Sequence, residues 1–148
     1  MYHHILIATD GSDLANKAVA QGVALAKDLK IPVSMVTVTE PWSAFDLAHM
    51  ARMGNQNPIG QYEEFATNAA NNILDKAAEV AKAQGVEYDT IHVRDQHPAE
   101  GIVAAAKQKG CDLIVMASHG RRGIDRLLLG SKANEVLTHS KVPALIVR

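Results

Sequence analysis

The sequence predicts an α/β protein, a three-layer αβα sandwich built on an open five-stranded parallel sheet. Three features predict it. Short apolar runs rich in β-branched residues alternate with longer amphipathic stretches along all 148 residues. The run Leu-Ile-Val-Met-Ala at 113–117 is apolar on both faces, as in a central parallel strand. Two strands end in loops that carry chemistry: Asp10-Gly11-Ser12 after the first and Ser118-His119-Gly120 after the fourth.

Each element has its own signal. Tyr2 to Thr9 is a short apolar strand stopped by the turn Asp10-Gly11-Ser12. Leu14 to Lys30 is helical, with Ala15, Ala18, Val19, Gly22, Leu25, Ala26 and Leu29 on one face and Ser12 or Asp13 as cap. Pro32 to Thr39 alternates and is β-branched, a second strand. Glu40 to Gly60 mixes prolines, glycines, asparagines and aromatics and reads as a long connection with a helical turn at Ala44 to Met53. Gln61 to Gln84 is an amphipathic helix with Tyr62, Phe65, Ala66, Ala69, Ile73, Ala77 and Val80 on its apolar side, ended by Gly85. Val86 to Arg94 is the third strand. Proline at a first helical position makes His97-Pro98 a helix start, with Ile102, Val103 and Ala106 facing inward and Gly110 as stop. Asp112 to Ser118 is the fourth strand, Gly130-Ser131 opens a helix through about Leu137, and Val142 to Val147 is the fifth strand.

Bulk properties bound the function. The length fits a single domain, 1–148, that buries a core without metals or disulfides. A hydrophobic fraction of 47% with 21% charge suits a globular chain. The net charge of −1 gives no overall pull towards nucleic acid. One cysteine, Cys111, excludes an internal disulfide and suits a reducing compartment. There is no signal-peptide pattern, and no apolar run approaches the ~20 residues that span a bilayer. The expectation is a cytoplasmic protein with no membrane segment. The last strand has nothing after it to cover an edge, so a homodimer through Val142 to Val147 is expected.

In open parallel sheets ligands bind beyond the carboxyl ends of the strands, where the strand order reverses. The first and fourth strands are the expected neighbours there, so Asp10 and the loop from Ser118 should converge. A strand, a glycine-bearing loop and a helix opening at Gly130-Ser131 together suit an anion. Other phosphate and hydrolase motifs are missing: no Walker loop, no Gly-x-Gly-x-x-Gly after the first strand and no Gly-x-Ser-x-Gly elbow. Ser131 is either an N-cap or a phosphate ligand and can serve as both. Asp10 is either a ribose or metal-water ligand or a capping carboxylate. His119 is a loop hydrogen-bonder before it is a catalytic acid or base. Arg121 and Arg122 either neutralise phosphate or face solvent. Trp42 and Phe45 either anchor the long connection over the site or pack at a dimer contact. The seven histidines have no metal-site spacing.

Ala117, Gly120, Gly130 and Ser131 stand in the pattern Gly-x-x-Gly, nine residues, Gly-Ser/Thr, with alanine for the first glycine. The loop Ser-His-Gly-Arg-Arg-Gly (118–123), the opening Ala-Thr-Asp-Gly-Ser and the ending Val-Pro-Ala-Leu-Ile-Val-Arg accompany it. On these motifs the chain resembles the nucleotide-binding branch of the universal stress protein family, across nearly its whole length. The resemblance implies strand order 3-2-1-4-5, the adenine nucleotide alpha hydrolase-like arrangement. It implies ATP or another adenine nucleotide, with Mg brought by the nucleotide. Gly120, Gly130, Ser131 and Lys132 would offer backbone N–H groups to phosphates. Ala8, Thr9 and Asp10 would line the adenosine side, Val38 would meet adenine through its backbone, and Met116 and Ala117 would floor the ribose. Ser118, His119, Arg121 and Gly123 complete the loop.

The expected function is ATP-binding regulation in a stress response, in which nucleotide occupancy biases 120–129 and 40–60 and alters binding of an unidentified protein partner. A nucleotide-independent dimeric adaptor is the alternative, and a slow phosphohydrolase using Asp10 and His119 the third. Without a Walker lysine or an evident base, the chain does not read as a dedicated enzyme.

Overall fold

The computed structural model describes residues 1–120 and 129–148. The elements follow as β1 (Ile5–Ala8), α1 (Asp13–Leu29), β2 (Val33–Val38), α2 (Ala44–Arg52), α3 (Pro58–Gln84), β3 (Tyr88–Val93), α4 (Pro98–Lys109), β4 (Leu113–Ala117), α5 (Ser131–His139) and β5 (Ala144–Val147). The five strands form one parallel sheet in the order β3-β2-β1-β4-β5, as expected. The chain winds out from β1 to β3, then restarts at β4 on the other side of β1. The order therefore reverses between β1 and β4, where Ile5 stands opposite Leu113 and Ile7 opposite Val115.

Strand alternation divides the core in two. Ile5, Ile7, Val33, Met35, Leu113 and Val115 pack against α1 and α3. Leu6, Val36, Ile114 and Met116 pack against α4 and α5. Both faces of β1 and β4 are buried, which is why they read as continuous apolar runs. Each such side chain contributes about 1.5–3 kcal/mol by leaving water.

The helix ends obey local chemistry. Ser12 caps α1 by accepting the Ala15 N–H at 3.2 Å. Pro98 sits in the first turn of α4, and Gly110 closes that helix with φ of 67°.

Some expected details differ. The strands are shorter than their apolar runs. In α1 Val23 is buried, whereas Leu25 is only partly buried and Leu29 is 42% exposed. The turn expected at Ala44 to Met53 is a nine-residue helix with a Ser43–Asp46 capping box, and it buries no residue. Helix α3 starts at Pro58, with Asn57 as cap, rather than at Gln61. Its buried face is Ala70, Leu74, Ala77 and Ala81, while Phe65 is 74% exposed. The cause is length. A 27-residue helix runs about 40 Å, twice the span of a six-residue strand, so only its second half has sheet beneath it.

Among the described residues no helix is long and apolar enough to cross a membrane. No group of three or more His, Cys, Asp or Glu side chains among them could hold a metal ion.

Candidate functional site

The carboxyl ends of β1 and β4 do bring the two loops together. Thr9 continues β1, its N–H donating to the Val36 carbonyl at 2.9 Å. The chain then turns sharply. The Gly11 N–H donates to Thr9 Oγ1 at 3.2 Å, and Gly11 takes a φ of 78° that only glycine adopts without strain. The Ser12 N–H donates to Asp10 Oδ1 at 2.9 Å. Asp10 thus performs the turn role, and its other carboxylate oxygen faces Gly120. A β-carbon built at Gly120 would stand 2.7 Å from Asp10 Oδ2. A side chain at 120 would require the Asp10 carboxylate to shift.

On the β4 side, the Ser118 N–H donates to the Val147 carbonyl at 2.8 Å, extending the pairing of β4 with β5. Ser118 is buried, and a hydrogen bond of 2.8 Å joins its Oγ to His119 Nδ1. His119 thus makes a hydrogen bond within its own loop. The loop's far end returns to the same place, since the Gly130 N–H donates to the Ser118 carbonyl at 2.8 Å. A β-carbon at Gly130 would lie 2.8 Å from that carbonyl oxygen.

This last bond corrects one expectation. The N–H of Gly130 closes the loop and is not offered to an anion. The donors at this end belong to the first turn of α5: Ser131, Lys132 and Ala133. Gly130 is the N-cap and no side chain caps the helix. Its first N–H groups lack intrahelical partners and carry the positive end of the helix dipole. Ser131 is exposed at this end.

The remaining expected residues fall into place unevenly. Ala8 and Met116 are buried in the core on the α4 and α5 side. Ala117 is buried in the opposite core, beside α1. Its methyl group is absorbed by packing. Val38 ends β2 on the α4 face, where Gly101 of α4 leaves room for it: a β-carbon at Gly101 would stand 2.8 Å from Val38 Cγ2. Arg121, Arg122 and Gly123 lie outside the described residues.

The structure adds residues that the sequence reading passed over. After β2, the Thr39 N–H donates to the Val93 carbonyl at 2.8 Å, and a 2.6 Å hydrogen bond joins Thr39 Oγ1 to His92 Nε2. Burial, and then the charge of Arg94, lower the His92 pKa, favouring neutral imidazole. Glu40 follows. The Tyr62 hydroxyl donates to its carbonyl at 3.1 Å, and Lys132 Nζ lies 3.8 Å from its Oε1. Burial, then Asp46, Glu40 and Asp95, raise the Tyr62 pKa. No sequence spacing signals the contact between Glu40 and Lys132; parallel winding alone brings them together.

Comparison with known proteins agrees with this architecture. The universal stress protein family model matches residues 1–148. A universal stress protein of Bacillus subtilis, YxiE, is 32% identical over 153 residues, covering 100% of both chains. The solved structure of a universal stress protein in complex with cAMP superposes with a TM-score of 0.69 at 25% identity, covering 99% of this chain and 97% of that one. The universal stress protein of Archaeoglobus fulgidus in complex with dAMP has the same fold, with a TM-score of 0.73 at 21% identity over 99% and 98% of the two chains. By the match over its whole length, the chain belongs to the universal stress protein family.

Proposed function

We propose that this chain binds an adenine nucleotide, ATP carrying its own Mg, in the crevice between the carboxyl ends of β1 and β4. The observation that carries the reading is the uncapped N-terminus of α5 beside the Asp10–Gly120 approach, at the point where the strand order reverses. A relative of 25% identity is a cAMP complex, which supports the ligand class. In this reading the N–H groups of Ser131, Lys132 and Ala133 and the Ser131 hydroxyl take the phosphates. Gly120 lets the chain pass close to the ligand. Thr9 and Asp10 line the ribose side, Val38 offers its backbone to the base, and Ala8, Met116 and Ala117 form the floor. Arg121 and Gly123 belong to the phosphate loop by sequence. The role in this reading is binding and regulation.

Occupancy biases the segments 120–129 and 40–60 and with them the protein's contacts. Trp42, Phe45, Met53 and Phe65 are exposed around α2, which supports a partner-binding role for that region. Denaturing the purified protein and identifying released nucleotide tests the reading, with calorimetric titration of ATP as the quantitative arm. Failure to bind ATP, cAMP or AMP at millimolar concentration rejects it.

The second part of the proposal is a homodimer through β5. This strand lies at the sheet edge, with Leu145 41% exposed. Light scattering should show a dimer that Leu145→Lys converts to monomer. A wild-type monomer rejects it.

A further inference from the structure

Lys132 stands at two sites at once. Its backbone belongs to the first turn of α5, the proposed phosphate end. Its ammonium reaches across the crevice to Glu40 Oε1 at 3.8 Å. Glu40 is the residue at which the chain leaves the sheet for α2, and the Tyr62 hydroxyl holds its carbonyl. The segment beyond is only lightly fastened, since α2 buries no residue.

We propose that Lys132 is shared between the anion site and this arm. A polyphosphate at the start of α5 draws the ammonium off Glu40 and frees the segment that begins there. The inference rests on the nucleotide reading and adds its regulation. The Lys132 and Glu40 side chains are 48% and 50% exposed, so solvent screens their pairing and it is weak. A polyphosphate carries several charges and several acceptor oxygens at the same helix end, so it is the stronger partner. It also repels the Glu40 carboxylate. Both effects favour the released arm, and this differential interaction lets a ligand shift the equilibrium. A monophosphate brings less charge and shifts it less. Reciprocity then requires that releasing the arm strengthen anion binding.

Trp42, the chain's single tryptophan, lies two residues beyond Glu40 and reports on the arm. In nucleotide-free protein, Glu40→Gln and Lys132→Met should each change Trp42 emission and speed proteolysis within 40–57. The double variant should add nothing. Inorganic tripolyphosphate, which has no base to stack on the indole, should move wild-type emission to the Glu40→Gln value and leave that variant unchanged. Glu40→Gln should bind ATP roughly threefold more tightly, and Lys132→Met more weakly. Single variants identical to wild type in emission and cleavage overturn the proposal. Calorimetric binding of ATP with no Trp42 response to tripolyphosphate rejects the shared lysine and keeps the nucleotide. No binding heat with either ligand rejects both.

Discussion

The carboxylate of Asp10 occupies the space a side chain at position 120 would need: a β-carbon there would lie 2.7 Å from Oδ2. The other oxygen of the same carboxylate accepts the Ser12 N–H, so a side chain at 120 would press on the Asp10 turn. The two loops are thus matched to each other before any ligand arrives. Gly120→Ala should displace the Asp10 carboxylate and weaken ATP binding by roughly threefold, less than 1 kcal/mol. Titration calorimetry checks this. Unchanged affinity would mean that the ligand does not use this crevice.

Ala117 departs from the family's glycine but sends its methyl into the core beside α1. Ala117→Gly should therefore leave ATP affinity unchanged. It should lower stability by about 1–2 kcal/mol, from one lost buried methyl and a more flexible strand residue. Urea unfolding and calorimetry on the same variant separate the two effects. A marked rise in affinity would show that the methyl crowds the ligand.

Cys111 is buried beside a polar network at the amino ends of the strands. Ser34, wholly enclosed, shares a 2.9 Å hydrogen bond with His4 Nε2 and donates to Asp89, which pairs with Lys109. Burial, then the Asp89 charge, push the Cys111 thiol up to about 11. Little thiolate forms at neutral pH, so a disulfide reagent at pH 8 should react more than about a hundredfold slower with folded than with unfolded protein. Equal rates would show the thiol to be accessible.

Asp112 ties the N-terminal segment to the start of β4. Burial alone would raise its pKa. The N–H groups of His3 and His4, with the His3 ring, outweigh that and hold the carboxyl at about 2. A carboxyl with a folded pKa below its unfolded value stabilises the fold above about pH 4 and loses that contribution as pH falls towards 2. The side chain is 37% exposed, so after screening the contribution is about 1 kcal/mol. Asp112→Asn should lower stability by that amount at pH 7 and by nearly nothing at pH 2. A pH-independent difference would assign the effect to packing.

The sequence made the sheet legible because β1 and β4 are buried on both faces, and burial of that kind leaves continuous apolar runs. The Asp10 and Gly120 loops followed from where such strands end. Helix α3 was misread because its aromatics, Tyr62 and Phe65, lie on the half that overhangs the sheet. Its core face is built mainly from alanines, whose hydrophobic signal is weak. The family resemblance implies a Gly130 N–H offered to phosphate, and no sequence pattern reveals the Ser118 carbonyl that takes it. The contact of Lys132 with Glu40 had no local signal.

Thermal unfolding with and without millimolar Mg-ATP tests whether the crevice between β1 and β4 binds nucleotide. Ligand at a hundred times its Kd stabilises the fold by about 2.7 kcal/mol, raising Tm by roughly 5–10 °C in a chain of this size. The wild type should show that shift and Gly120→Val a much smaller one. No shift in the wild type, or equal shifts in both proteins, would contradict binding there.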